Sequence, residues 1–324
     1  FKTVLPIDVA SVDIATGQSF FARDSSEIIR RDMETGEEVS LTPKLAGQRV
    51  GEISLSQDRT KVIFRGNKDG LVNMGMVDAD GAGCTPDDFA GVLPLSAGCN
   101  KNYQVGGSGV CESSPVLSPD GKYIVCMGYV TTGRGMLFMD LAGQRIGLIR
   151  DDGFSYKSLV ISPDLTGMYF TACSPECGVY TRSFDWTSGN FGPVQAVIVN
   201  QNWYIVNDAL KYSLGISLSP DGKKIVFGYT TSAEITFSSF LGNNLLGTVN
   251  TDGAGFLEIG KGEKPQWVSD GKILFRVGFP LYAGGGSSLL NMTMDFDGGN
   301  RRIFEEGLGV TGFPRSFVSM VLVP

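Results

Sequence analysis

The sequence predicts an all-β fold, a six-bladed β-propeller whose blades are four-stranded antiparallel sheets. Three observations carry that prediction. The phrase Leu117-Ser118-Pro119-Asp120-Gly121-Lys122 lies between apolar runs at strand spacing, and it has hairpin chemistry: Pro fixes φ, Asp bonds its own backbone two residues on, and Gly accepts φ > 0. The phrase recurs before further apolar runs at Leu55-Ser56-Gln57-Asp58, Ile161-Ser162-Pro163-Asp164, Leu218-Ser219-Pro220-Asp221-Gly222-Lys223 and Val268-Ser269-Asp270-Gly271-Lys272, with a degenerate copy at Ser11-Val12-Asp13. A second turn phrase alternates with it, at Asp32 to Gly36, Asp78 to Gly81, Asp140 to Gly143, Asp185 to Gly189, Asn250 to Gly253 and Asp295 to Gly298. Each unit therefore reads strand, Ser-Pro-Asp-Gly turn, strand, loop, strand, Asp-x-x-Gly turn, strand, which is the repeat of a propeller blade.

Taken in order, Phe1 to Asp8 precedes the first blade, and blade one occupies 9–43, with strands at Val9–Ile14, Gln18–Arg23, Glu27–Asp32 and Glu38–Leu41. Blade two occupies 51–82, and a connection rich in Pro, Gly and Cys follows over 83–111. Blade three spans 113–150, with Met136 to Met139 in its third strand, and blade four spans 158–199 around the loop Cys173-Ser-Pro-Glu-Cys177. Blade five, 214–260, has a lengthened middle loop over 229–239, and blade six, 265–306, has another over 277–288. A tail at 313–323 alternates like a strand beyond the six-by-four count, so it is expected to join an edge or a neighbouring molecule. The whole chain is expected to form one propeller domain.

The 324 residues include 44 Gly and 14 Pro, which many turns account for, while a 42% hydrophobic content supplies a core. No apolar run approaches the roughly 20 residues of a membrane-crossing helix, so no membrane span is expected. The formal charge is −7 without any long basic block, which argues against nucleic acid as a partner. Histidine is absent, and with it the Ser-His-Asp triad and every imidazole ligand or general base. The chain begins at Phe1 and holds an even set of six cysteines; both point to a mature exported protein, extracellular, at the cell surface or periplasmic. Asn291-Met292-Thr293 is a single glycosylation sequon.

From Val9 to Glu306 these alternating turns resemble the TolB-type six-bladed propellers built from WD40-like (PD40) repeats. The resemblance implies the fold, and such propellers serve as binding platforms, enzyme domains and structural parts. Those that act on pectin fragments are expected to use His-bound metal, which this chain cannot supply.

In a propeller the first-to-second and third-to-fourth connections share one face, and all others share the opposite one. The regular turns fill the first set, so the long connections 83–111, 173–177, 200–211, 229–239 and 277–288 are expected on the second, where binding residues concentrate. Candidate binding residues there are Tyr103, Trp203, Tyr204, Asp208, Tyr229, Phe279 and Tyr282, aromatics suited to a sugar or to a protein hot spot as well as to packing. The turn residues Asp58, Asp120, Asp164, Asp221 and Asp270 read as structural. Asp78-x-Asp80-Gly and Asp295-x-Asp297-Gly lack the remaining ligands of a calcium loop, so no metal and no cofactor are expected. The expected disulfides are Cys173–Cys177, Cys84–Cys99 and Cys111–Cys126, although four cysteines admit three pairings.

These features favour a non-enzymatic scaffold or structural subunit that binds other proteins, including copies of itself through the 313–323 tail. The alternative is a carbohydrate-binding or carbohydrate-active propeller drawing on Asp87, Asp88, Glu112, Glu176, Asp208 and Glu234; no spacing pairs any two of these. A third reading places a ligand or ion in the central channel.

Overall fold

A computed structural model describes residues 9–303 apart from 14–17, 24–26, 33–34, 43–47, 57–59, 69–70, 82–102, 105–109, 112–114, 131–132, 141–144, 151–152, 174–175, 206–213, 232–243, 269–270 and 281–286. These residues form six antiparallel sheets in a β-propeller arrangement, each sheet a contiguous piece of chain. Blade one is β1 (Val9–Asp13), β2 (Gln18–Arg23), β3 (Glu27–Asp32) and β4 (Glu38–Ser40). Blade two is β5 (Gln48–Leu55), β6 (Lys61–Lys68), β7 (Leu71–Asp78) and β8 (Tyr103–Gln104). In blade three, β9 (Val110–Cys111) and β10 (Val116–Leu117) both pair with β11 (Tyr123–Val130), followed by β12 (Gly133–Asp140) and β13 (Arg145–Arg150). Blade four is β14 (Ser155–Ile161), β15 (Gly167–Cys173), β16 (Cys177–Asp185) and β17 (Asn190–Asn200). Blade five is β18 (Ile216–Leu218), β19 (Lys224–Thr230), β20 (Asn244–Asn250) and β21 (Leu257–Lys261). Blade six is β22 (Glu263–Val268), β23 (Lys272–Pro280), β24 (Ser287–Asp295) and β25 (Arg302–Ile303).

The first turns of blades three, four and five are organised by their serine as much as by their aspartate. Ser118 is fully buried; its hydroxyl accepts the Tyr123 N–H at 2.9 Å and donates to Asp120 Oδ1 at 2.7 Å, which in turn accepts the Lys122 N–H. Ser219 and Asp221 repeat this geometry around Lys223 and Lys224. Ser162 accepts the Gly167 N–H, and Asp164 holds the Thr166 N–H and hydroxyl. The buried serine hydroxyl and the aspartate beside it thus find local partners in each of these turns, as buried polar groups require.

Apolar faces then stack blade on blade. Val125, Met136 and Phe138 of blade three pack with Leu159, Met168, Phe170 and Phe184 of blade four, and Val226 and Leu246 of blade five pack with Ile273, Phe275 and Met292 of blade six. Burying one such side chain contributes about 1.5–3 kcal/mol, and a further cluster of Val179, Ile225, Phe227 and Val249 joins blade four to blade five in the same way.

The second turn phrase clasps the neighbouring blade. Gly189, Gly253 and Gly298 sit at φ of +72°, +88° and +87°. A Cβ at Gly189 would overlap the Ile146 carbonyl oxygen of the preceding blade's outer strand, one at Gly253 would stand 2.5 Å from that of Val197, and one at Gly298 3.0 Å from that of Ile259. Blade six adds a side-chain clasp here: Arg301 donates through Nη2 to the Ile259 carbonyl and lies over the Phe275 ring.

Two strand placements differ from expectation. Blade two was read as complete by Gly81, but its fourth strand is Tyr103–Gln104, paired with Asn73 and Met74. The intervening 79–102 therefore joins the third strand of blade two to its fourth, not one blade to the next. In blade three the first strand is split and begins at Val110, ahead of the expected Ser113, with Cys111 opposite Gly128. Two-residue strands carry too little periodicity to be read locally. The tail 313–323 and the segment 1–8 lie outside the described residues.

The turn carboxylates make stability depend on pH. Bonds from the Thr166 N–H, then the Ser162 and Thr166 hydroxyls, hold Asp164 below its ordinary range, and the Ser219 hydroxyl followed by the Lys223 N–H does the same for Asp221. In Asp120 burial opposes this, and the bonds to Ser118 and Lys122 prevail. Ser188 lowers Asp185, and Asn300 and Lys272 lower Asp295. Groups whose folded pKa is depressed stabilise the fold above the unfolded value of about 3.9, and that contribution is lost as pH falls through the folded values. The urea midpoint is expected to hold from pH 7 to 5 and to drop below about pH 4, less steeply in Asp221→Asn; a midpoint flat to pH 2.5 would contradict this assignment.

Candidate binding surface

On the face of the second-to-third and blade-to-blade connections, extra length is concentrated around blades five and six. The connection 201–215 leads into β18, 231–243 joins β19 to β20, and 281–286 joins β23 to β24. By contrast, the blade-four connection in the same set is a short hairpin in which Cys173 and Cys177 pair in register and form a disulfide, as expected. That bond closes the hairpin against opening at its tip.

The roots of these connections are held by a buried polar network. Glu263, which opens β22, is 4% exposed, Arg276 of β23 is 8% exposed, and Asn244, which opens β20, is 6% exposed. Arg276 Nη2 donates to Glu263 Oε1 at 3.2 Å, and Asn244 Nδ2 donates to Glu263 Oε2 at 3.2 Å. Glu263 therefore ties blade five to blade six close to the strand ends from which these connections start. Nothing in the linear sequence pairs these three residues; only the register Glu263 opposite Arg276 does.

Beside it lies an aromatic cluster. Trp203 packs on Phe227 at 5.5 Å, on Tyr229 at 4.6 Å and on Phe256 at 5.2 Å between ring centroids. Space for Phe256 comes from Gly247, where a Cβ would meet the rings of Phe256, Phe227 and Tyr229. The Tyr229 hydroxyl donates to Glu258 Oε2 at 2.6 Å. Burial first, and then that carboxylate, push the Tyr229 hydroxyl well above the ordinary tyrosine range, so it stays protonated.

This corrects two of the expected surface residues. Trp203 is 6% and Tyr229 1% exposed; both are core side chains, because the segment after β17 folds back onto β19. There Tyr204 and Thr230 exchange main-chain hydrogen bonds of 2.7 and 3.0 Å. Tyr204 itself is exposed, as are Phe256 and Leu257, two residues that no sequence signal marked beyond their place after Gly253 and Gly255. Phe279 lies on β23 opposite Ser288, and Tyr103 on β8 opposite Met74. Asp208 and Tyr282 lie outside the described residues.

Of the other expected features, Asn291 falls inside β24, its backbone opposite Arg276, so the sequon belongs to a central strand. Cys126 is disulfide-bonded and no cysteine is free among the described residues, whereas Cys84 and Cys99 lie outside them. Of the carboxylates considered for sugar chemistry, Glu176 alone is described, exposed in the disulfide-closed hairpin. No group of three His, Cys, Asp or Glu positioned to hold a metal occurs among the described residues, and no helix there is long and apolar enough to cross a membrane.

No protein-family model matches the chain, and no curated protein matches it in sequence. Solved structures do. TolB from Acinetobacter baumannii aligns with a TM-score of 0.55 at 17% identity over 85% of this chain. The chain spans only 58% of that TolB. An oligogalacturonate lyase in complex with manganese aligns at 0.52 and 13% identity, over 86% of this chain and 74% of the lyase. A chain of the nidogen/laminin complex aligns at 0.52 and 10% identity, over 88% of this chain and 91% of that one. At such identities the likeness shows the fold, a TolB-type propeller.

Breaking a buried ion pair from one side strands a charge and costs about 3–5 kcal/mol, whereas replacing both partners by apolar groups comes close to neutral. Glu263→Leu is accordingly expected to lower unfolding free energy by about that amount, and Glu263→Leu with Arg276→Met to recover most of it. Equal losses in urea titrations of the single and double variants would contradict the pairing.

Proposed function

We propose that this is an exported, non-enzymatic propeller that binds another protein through the blade-five and blade-six sector of its long-connection face. One observation carries the reading: connections 201–215, 231–243 and 281–286 rise from strands whose ends are locked together by the buried Asn244–Glu263–Arg276 network. Variable loops on a rigid base are the usual architecture of a recognition surface. The exposed Tyr204 adds an aromatic of the kind that anchors protein interfaces. Export is supported by the Cys173–Cys177 disulfide, since such bonds persist in oxidising compartments. Protein binding is supported by the occurrence of the same fold in the nidogen/laminin complex.

Replacing 206–213 and 232–243 by Gly-Ser segments of equal length is expected to leave the unfolding temperature within a few degrees of the native protein. The same replacement is expected to abolish crosslinking to whichever protein the native chain captures from the extracellular fraction of its source. Undiminished crosslinking of that protein to the variant would overturn the reading.

A further inference from the structure

The interfaces between blades three and four, four and five, and five and six are built to one plan, and the middle one lacks its key part. The residue five places after the turn serine is Tyr123 in blade three, Gly167 in blade four and Lys224 in blade five. The residue after the first member of the acidic turn is Trp186 in blade four, Thr251 in blade five and Phe296 in blade six. Trp186 stacks on Tyr123 of the preceding blade at 4.7 Å, meets Phe138 at 6.0 Å and donates its indole N–H to the Leu165 carbonyl. Phe296 receives Lys224 Nζ over its ring at 4.7 Å and lies 6.4 Å from Trp267. Two of three interfaces are thus closed by an aromatic ring.

Between blades four and five the ring is replaced by Thr251, whose hydroxyl donates to the Lys223 carbonyl of its own blade at 3.3 Å. A cavity of about 250 Å³ opens on blade four, lined by Gly167, Tyr169, Thr181, Arg182, Ser183 and Gln195 among others. The register identifies it. Tyr169 pairs with Thr181 as Val125 pairs with Phe138, so Gly167 and Thr181 occupy the blade-four places of Tyr123 and Phe138, the two rings on which Trp186 packs. The volume suits one aromatic side chain. The wall includes Tyr169, on the face of blade four that packs toward blade five, and aromatic rings favour one another in offset and edge-to-face pairs.

We infer that this cavity receives an aromatic side chain, tryptophan above all, from a protein partner, completing in trans the closure that Trp186 and Phe296 provide in cis. The site lies at the Ser-Pro-Asp-Gly end of blade four, so it is separate from the long-connection face; it rests on the same reading of the molecule as a protein-binding propeller. It is testable without knowing the partner.

The probe is N-acetyl-5-fluorotryptophanamide, titrated into the full chain and followed by fluorine NMR, with N-acetyl-leucinamide and glucose as comparison ligands. Saturable broadening by the native protein is expected, at least tenfold weaker in Thr251→Trp, which supplies the ring from blade five, and in Thr181→Phe, which restores the blade-three residue. Thr251→Trp is also expected to raise the unfolding temperature. Absence of saturable binding, binding unchanged in both variants, or glucose binding as tightly as the indole would each overturn the assignment. Because the long connections are untouched, this result is independent of the loop-replacement experiment.

Discussion

The constraint on which the molecule depends is the close approach of the acidic turns of blades four, five and six to the outer strand of the blade before each. Four-stranded sheets with apolar faces could stack at many angles; a glycine pressed against a particular carbonyl admits few. Gly189 on Ile146, Gly253 on Val197 and Gly298 on Ile259 set that approach at successive interfaces, and the positive φ at each excludes other residues at low cost. Blade-to-blade geometry is therefore written into the same short phrase that reverses the chain. The serine-centred turn is its complement: it satisfies the buried reversal within a blade, and its residues look inward to their own backbone.

With the scaffold specified so locally, departures from the repeat stand out as the places free to acquire another role. One departure is additive. The long connections around blades five and six rest on Glu263 and its two buried partners, a pairing whose desolvation cost an apolar contact would have avoided. The other is subtractive: Gly167 and Thr251 remove two side chains that the neighbouring interfaces keep, and a cavity results. Both departures touch blade five, which makes that blade the centre of the functional account.

Much of this was legible in the chain itself, for a physical reason. Turn phrases are local chemistry, so Ser-Pro-Asp-Gly and Asp-x-x-Gly announce strand number and order without reference to distant residues. The Cys173–Cys177 bond was legible likewise, because three residues between half-cystines at a hairpin tip leave little alternative. What depended on distant contacts was not. Trp203 and Tyr229 looked like surface aromatics because nothing local shows that the chain after β17 folds back on β19. The two residues of β8 are too few to show a period, which misplaced 79–102. The buried Glu263–Arg276 pair is visible only once β22 and β23 are in register. The cavity is an intermediate case: the repeats, aligned against one another, set Gly167 beside Tyr123 and Lys224, and Thr251 beside Trp186 and Phe296.

The most direct measurement is the unfolding free energy of Gly→Ala variants at equivalent acidic turns. Gly36 has φ of +74° and nothing within 4 Å of an added Cβ, so Gly36→Ala bears the left-handed backbone strain alone, about 1–2 kcal/mol. Gly189→Ala and Gly253→Ala bear the same strain and also collide with the preceding blade. If the clasp orders the blades, both lose substantially more stability than Gly36→Ala in matched urea titrations. Losses equal to that of Gly36→Ala would show that these glycines serve only their own turns, and would contradict the account.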